Sequence, residues 1–347
     1  MNILSLFDGM SCGQLALKRL NISYDNYYAS EIDKPAIKIT QKNFPSTIQL
    51  GDIKKLSSAD LKSLPKINLI MGGSPCQGFS FGGKGLNFDD PRSKLFFEFA
   101  RVLKEINPKY FLLENVRMNI KSQDIISNML EVEPIKINSS LVSAQNRVRL
   151  YWTNIPVDKI LEDKCMILED ILEKEVDLKY LAGEKLQREY KGGNQLNPKF
   201  KSQCNTIYNR DGKFGTLCAG THGYSFGYVS DGALINKSTT KNGKAYALTC
   251  SYSGAVAWNS IERQQRTMIP VCKSNNKDNP NVIDGYYYRK LTPIECERLQ
   301  TVPDNYTEGV SNTQRYKMLG NGWTIDIISY ILQGINKPVE IIGDYYD

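Results

Sequence analysis

The stretch GGSPCQGFSFGG, residues 72–83, places one thiol, Cys76, on a glycine-rich loop directly after the apolar run INLIM. A cysteine between a proline and a glutamine on such a loop is poorly suited to a packed core. It is well suited to ionise and attack an electrophile if cations lie near it. A second reactive group, Glu114, stands at the polar end of the next apolar run, KYFLLENV. A carboxyl at the end of a buried strand can give a proton to a bound substrate. In QNRVR the cations Arg147 and Arg149 alternate, so strand geometry turns both to one side. A thiolate, an acid and two cations at one pocket suit addition of sulfur to a ring carbon, helped by protonation of a neighbouring ring nitrogen.

The start of the chain supplies a second half-site. LSLFDGMSCGQLAL reads as a strand, a tight turn and a helix, and Gly9 lets backbone approach a ligand closely. Some 20 residues on, Glu31 ends the strand-like YYASE, where an acid can hold ribose hydroxyls. Asp52 is expected to end a third strand in QLGDI and to accept a hydrogen bond from an adenine amino group. The turn is not a full GxGxxG, which disfavours a dinucleotide, and it has no GK[ST] for a nucleoside triphosphate. An adenosine ligand without a pyrophosphate fits better, and S-adenosylmethionine is the candidate. A thiol, a carboxylic acid and a methyl donor together imply methylation of a pyrimidine ring carbon. The thiolate adds at carbon 6, the acid protonates nitrogen 3, the methyl group goes to carbon 5, and loss of the carbon 5 proton expels the cysteine.

These groups need a scaffold that brings loop ends together. NILSLF, DNYYASE, IQLGDI, KINLIMGG and KYFLLENV read as strands, and GQLALKRL and KPAIKITQKNF as helices. Residues 93–106 carry a helical stripe of Leu95, Phe96, Phe99, Val102, Leu103 and Ile106. The alternation predicts an α/β fold: a doubly wound, mostly parallel sheet with helices on both faces. From about Val176 to about Gly285 the chain is rich in Gly, Asn, Ser, Lys and Tyr and loses clear periodicity. KFGTLCAGTHGYSFGY and KAYALTCSYSGAVAW loosely echo each other there as hairpin-like pieces. After RKLTPIECERLQ the pattern is helical again and closes on TIDIISYILQGI. The expected division is a catalytic and cofactor-binding domain over 1–175, an irregular, mainly β target-recognition domain over 176–285, and a segment over 286–347 that returns to the first domain.

Composition bounds the function. The 347 residues carry 41% hydrophobic and 23% charged residues, as in globular proteins, and no apolar stretch is long enough to span a bilayer. The opening MNILSLFDG predicts no signal peptide, so the eight cysteines, none in a CxxC pair, are not expected to form a disulfide framework. The single histidine, His222, excludes HExxH and multi-histidine metal sites and leaves little room for a Ser-His-Asp triad. No metal is expected. The net charge of +7 has the sign that a phosphate-backbone partner requires.

Nearly the whole chain resembles the DNA (cytosine-5) methyltransferases, whose motifs occur here in the family's order. LFDGMSCG resembles the cofactor loop, which implies contacts from Phe7, Asp8, Gly9 and Met10. SEID adds Glu31 and Ile32 for the ribose, and GDI adds Asp52 and Ile53 for the adenine. GSPCQGFS is similar to the nucleophile loop around Pro75 and Cys76, and LFFEFARVL places Leu95 beside the cofactor. ENV supplies Glu114, with Asn115 bracing the nucleophile loop. QNRVR matches the arginine motif, which implies that Arg147 and Arg149 hold a flipped cytosine and its phosphate. RKLTPIECERLQTVPDNYT resembles the segment that fixes the recognition domain, and MLGNGW the last cofactor motif, with Asn321 and Trp323.

Ser11 and Cys12 stand where the family usually has glycines. LFDG and GNGW resemble the vertebrate de novo branch, whereas PCQ is the bacterial form. The resemblance implies a bacterial or phage, cytoplasmic, monomeric enzyme. It would act on double-stranded DNA, yield S-adenosylhomocysteine, and could serve beside a restriction endonuclease. Two alternatives share the fold: a tRNA cytosine-5 methyltransferase, whose CFT signature is not found here, and a catalytically weak DNA-binding relative, which should lack the cysteine or the glutamate. Amino-group methyltransferases need [DN]PP[YFW], where this chain has SPCQ.

Overall fold

The structure, a computed structural model, describes residues 1–75, 94–157, 161–174 and 176, the strand segments 207–209, 228–230, 245–246 and 268–273, and residues 286–336. The first strands and helices alternate: β1 (Asn2–Leu6), α1 (Cys12–Arg19), β2 (Asn26–Ser30), α2 (Lys34–Asn43), β3 (Ile48–Gln49), α3 (Ser58–Ser63), β4 (Ile67–Gly72), α4 (Lys94–Ile106), β5 (Tyr110–Val116) and α5 (Ile120–Leu130). Then come β6 (Ile135–Asn138), β7 (Gln145–Asn146) and β8 (Val148–Thr153). Seven strands form one sheet in the order β3-β2-β1-β4-β5-β8-β6. All pairings from β3 to β5 are parallel, and β8 runs antiparallel between β5 and β6. The strand order reverses direction between β1 and β4. The helices that follow them, α1 and α4, lie on opposite faces of the sheet, an order that opens a crevice at the carboxyl edge. The cofactor-type turn and residues 72–75 flank that crevice.

Alternating side chains divide between two cores, as burial of both faces requires. Ile3, Leu69, Met71 and Leu112 join α1 on one side, and Leu4, Ile70, Phe111 and Leu113 join α4 and α5 on the other. The expected stripe of α4 is present: Phe96, Phe99 and Val102 are fully buried, while Leu95, Leu103 and Ile106 pack against the same core at its margin. The third strand is shorter than QLGDI suggested. It ends at Gln49, and Asp52 instead caps the 3-10 turn Ile53–Lys55, its Oδ1 accepting from Lys54 N at 3.0 Å. Gly51, at φ 76°, breaks the extended backbone, and its carbonyl accepts from the Ser30 hydroxyl at 2.8 Å in place of a ladder bond.

Between positions 176 and 290 every described element is a strand: β9 (Ile207–Asn209), β10 (Tyr228–Ser230), β11 (Ala245–Tyr246), β12 (Met268–Lys273) and β13 (Tyr286–Lys290). β12 and β13 pair antiparallel, and β11 pairs with β7 of the main body. Most residues of the two echoing pieces, and His222, lie outside the described residues. The chain returns through α6 (Pro293–Leu299), α7 (Asn312–Asn321) and α8 (Ile325–Leu332). α8 packs against α1, burying Ile325, Ile327, Ile328 and Ile331 in the core on that side.

Candidate active site

Glu114 lies within β5, two residues before its end, and is only 8% exposed. Its carboxylate is held at both oxygens. Arg149, one strand over on β8, brings Nε within 3.0 Å of Oε1, and Trp323 donates its indole N–H to Oε2 at 3.1 Å. The Arg149 contact is a charge pair: the Nε–H is not aimed at the oxygen well enough to be a hydrogen bond. The surroundings of the carboxylate are thus ionic and polar. Gly73 makes the arrangement possible. A Cβ there would stand 2.9 Å from Trp323 Nε1 and 3.1 Å from Glu114 Oε2.

The two arginines separate. Arg149 stays with Glu114, while Arg147 is buried and donates to the carbonyls of Gly320 (3.3 and 3.2 Å) and Gly322 (2.9 Å). Those bonds fix the turn between α7 and α8 that carries Trp323. Asn115 donates Nδ2–H to the Ser74 hydroxyl (3.1 Å) and carbonyl (3.4 Å), which ties the beginning of the thiol loop to β5. Pro75 is the last described residue there. Cys76 lies outside the described residues. Cys12, near the same turn, is no rival nucleophile, because burial pushes its thiol up to about 12.

The cofactor half of the site is built on positive-φ backbone. Phe7 (φ 58°), Gly9 (φ 59°) and Ser11 (φ 63°) turn the chain sharply between β1 and α1, and Phe7 N donates to Ser30 O at 2.8 Å. Ser11 takes a left-handed conformation that glycine adopts more readily; its hydroxyl accepts from Gln14 Nε2 at 2.7 Å. Glu31 sits one residue beyond β2. Its Oε2 accepts from Gly9 N (2.8 Å) and its Oε1 from Ile32 N (2.7 Å) and Asp33 N (2.8 Å).

Asp8 is buried beneath the turn. Oδ1 accepts from the Tyr27 hydroxyl at 2.8 Å, while Oδ2 has no partner. Burial raises the Asp8 carboxyl to about 6, against the pull of the nearby Ser5, Tyr27 and Ser11 hydroxyls.

The remaining expected contacts divide by exposure. Ile32 is 70% exposed at the crevice edge and offers an apolar face, and Asn321 is exposed at the end of α7. Met10 and Ile53 are buried, so their side chains serve the cores. Met10 instead offers its carbonyl to the Tyr306 hydroxyl at 2.7 Å. Leu95 lies half-buried at the start of α4.

These residues fit S-adenosylmethionine. Glu31 retains acceptor capacity for ribose hydroxyls, the orphaned Asp8 Oδ2 suits an ammonium, and nothing lies within 4 Å of a Cβ placed on Gly9. Among the described residues no cluster of His, Cys, Asp and Glu could hold a metal ion, and no helix is long and apolar enough to cross a membrane. Sequence reasoning missed Gly73 and the pairing of Trp323 with Glu114. The GG doublet before SPC was the only signal of the former, since a side chain is excluded there by residues 41 and 250 positions away.

A family profile described as C-5 cytosine-specific DNA methylase matches residues 1–337. The type II methyltransferase M1.ScrFI of Lactococcus lactis subsp. cremoris is 31% identical, over 97% of this chain and 78% of its own length. The orphan methyltransferase M.SPRI of Bacillus phage SPR is 26% identical, over 98% of this chain and 99% of its own. Among solved structures, the Entamoeba histolytica methyltransferase EhMeth shares the fold, with a TM-score of 0.70, 18% identity, and coverage of 97% of this chain and 99% of that one. The chain belongs to the C-5 cytosine-specific DNA methylases, enzymes that methylate carbon 5 of cytosine in DNA with S-adenosylmethionine as donor.

Proposed function

We propose that the chain methylates cytosine in double-stranded DNA through a covalent adduct of Cys76 with a base turned out of the helix. The observation that carries this reading is Glu114, held at both oxygens beside the strand end from which the Cys76 loop departs. Carbon 5 of cytosine is a poor nucleophile, and thiolate addition at carbon 6 converts the ring into an enamine. Glu114 gives its proton to nitrogen 3 as the sulfur adds, so negative charge does not build up on the ring. Arg149 keeps the carboxylate oriented and compensates the charge it acquires. S-adenosylmethionine, when bound, supplies the methyl group to carbon 5. Loss of the carbon 5 proton to water then re-forms the carbon 5–carbon 6 double bond, the carbon 6–sulfur pair leaves with Cys76 as thiolate, and nitrogen 3 returns its proton to Glu114. A base must leave the stack for a side chain to reach carbon 6, and a loop at the carboxyl edge of the sheet can close on it. Residues 176–285 select the DNA sequence, and the net charge of +7 assists attraction to the backbone.

Trapping tests the covalent step. DNA carrying 5-fluorocytosine cannot release a proton from carbon 5, so the unaltered chain should form a stable DNA adduct in the presence of cofactor. Cys76→Ser should form none while binding cofactor normally. Equal trapping by the serine variant would refute the assignment.

A further inference from the structure

A glutamate carboxyl turns broadly about its last side-chain bond, so burial alone does not aim its oxygens. In this protein two groups from distant parts of the chain fix that rotation. Arg149 Nε stands 3.0 Å from Oε1, and Trp323 Nε1 donates to Oε2 at 3.1 Å. Trp323 is itself buried, and its turn is gripped by Arg147 through the carbonyls of Gly320 and Gly322. Gly73 leaves the space in which indole and carboxylate meet. The arginine motif therefore serves one carboxyl twice: Arg149 directly, and Arg147 through the turn that presents the indole.

We propose that Trp323 is a positioning residue for the acid, its indole N–H holding Glu114 Oε2 in the orientation from which the proton reaches the cytosine ring. This assigns the indole nitrogen a role in proton transfer, distinct from any contact of the ring with the cofactor. It rests on the reading of Glu114 as the acid. The bond is shielded from water and gains charge assistance as Glu114 gives up its proton, so its loss should be felt in the chemical step.

The decisive variant replaces Trp323 with benzothienylalanine, which keeps the bicyclic ring and lacks the N–H. Trp323→Phe serves as a second, encoded variant. Single-turnover rates are measured with excess enzyme and radiolabelled S-adenosylmethionine, alongside dissociation constants for cofactor and for DNA. In the ring-preserving analogue, loss of the N–H should slow the chemical step about ten- to a hundredfold, with both dissociation constants within about twofold, a spread worth well under 1 kcal/mol.

A double-mutant cycle with Glu114→Gln separates the two claims. Glu114→Gln alone should slow the step by roughly a hundred- to ten-thousandfold. Removing the N–H in that background should then cost little more, because the group it positions is already gone. If the two losses multiply, or if the analogue loses cofactor affinity and no rate, Trp323 does not act through Glu114. If Glu114→Gln keeps the full rate, both the acid assignment and the positioning role fall.

Discussion

Asp8 carries an unusual condition at a single residue. It is a buried carboxyl with one oxygen on the Tyr27 hydroxyl and the other without a partner. Burial raises it from 3.8 to about 6. A folded-state value above the unfolded one means that the folded protein binds the proton more tightly. This contribution to stability is fully present below about pH 3.8 and is lost as pH rises through about 6. Above that, ionised Asp8 costs the free protein stability on the order of 2–3 kcal/mol. Asp8→Asn keeps the acceptor for Tyr27 and removes the titration. The stability difference between variant and parent should therefore shift in the variant's favour between pH 4.5 and 7.5, by roughly 1–3 kcal/mol in denaturant titrations. If Asp8 also receives the cofactor's ammonium, the same variant should bind S-adenosylmethionine more weakly at pH 7.5, as an acid kept for binding at a cost in stability would. A pH-independent difference between the two proteins would show that Asp8 does not titrate in this range.

The elements explain why neighbouring glycines at the end of β4 are not equivalent. A Cβ on Gly72 would come within 2.9 Å of the Leu6 carbonyl on β1 and of the Phe99 ring on α4, both fixed by the core. A Cβ on Gly73 would instead meet the ends of the Trp323 and Glu114 side chains. Gly72→Ala should thus cost stability, about 1–3 kcal/mol for overpacking. Gly73→Ala should leave the unfolding midpoint nearly unchanged and cut turnover by about tenfold or more, as expected when a reacting group is displaced. Denaturant unfolding and turnover measured on both variants would expose the error if the two effects were reversed.

The same elements mark what the sequence disclosed. INLIM and FLL announced strands buried on both faces, and the 93–106 stripe announced α4, because local periodicity records burial directly. The end of β3 was misjudged, since a two-residue strand leaves no period. The antiparallel insertion of β8 between β5 and β6 was not legible either, because pairing direction depends on connections and not on local pattern. At the site, motif residues could be named, but their partners could not. The bond from Trp323 to Glu114 joins positions 209 apart, and Arg147 reaches carbonyls 173 and 175 positions away.

On the scale of the molecule, the chain before residue 174 and the chain after residue 291 meet at one place. Glu173 N donates to Glu295 Oε1 at 2.9 Å, the Thr292 hydroxyl donates to Glu173 Oε2, and Arg298 donates to the Ile171 carbonyl at 3.1 Å. Thr292 also caps α6, whose Cys296 and Leu299 are buried in the core that holds α1, so the return joint is clamped both to the departing chain and to the main body. A segment whose two ends are tied in this way can be exchanged without moving the strands that carry Glu114, Arg149 and Gly73. The further contact to respect is the pairing of β11 with β7, at Gln145 with Ala245 and Asn146 with Tyr246. Replacing residues 176–285 by the corresponding segment of a relative with a different target should therefore leave the clasp of Glu173, Thr292, Glu295 and Arg298 in place. Base edges specify sequence and phosphate contacts only position the protein, so the chimera should methylate cytosine in the donor's context while still depending on Cys76. Bisulfite sequencing of DNA from cells expressing the chimera reads base and context together. Methylation in the parent's context would place sequence selection in the sheet domain, and a chimera active only after Glu173 and Thr292 are also exchanged would show that the clasp belongs to the recognition unit.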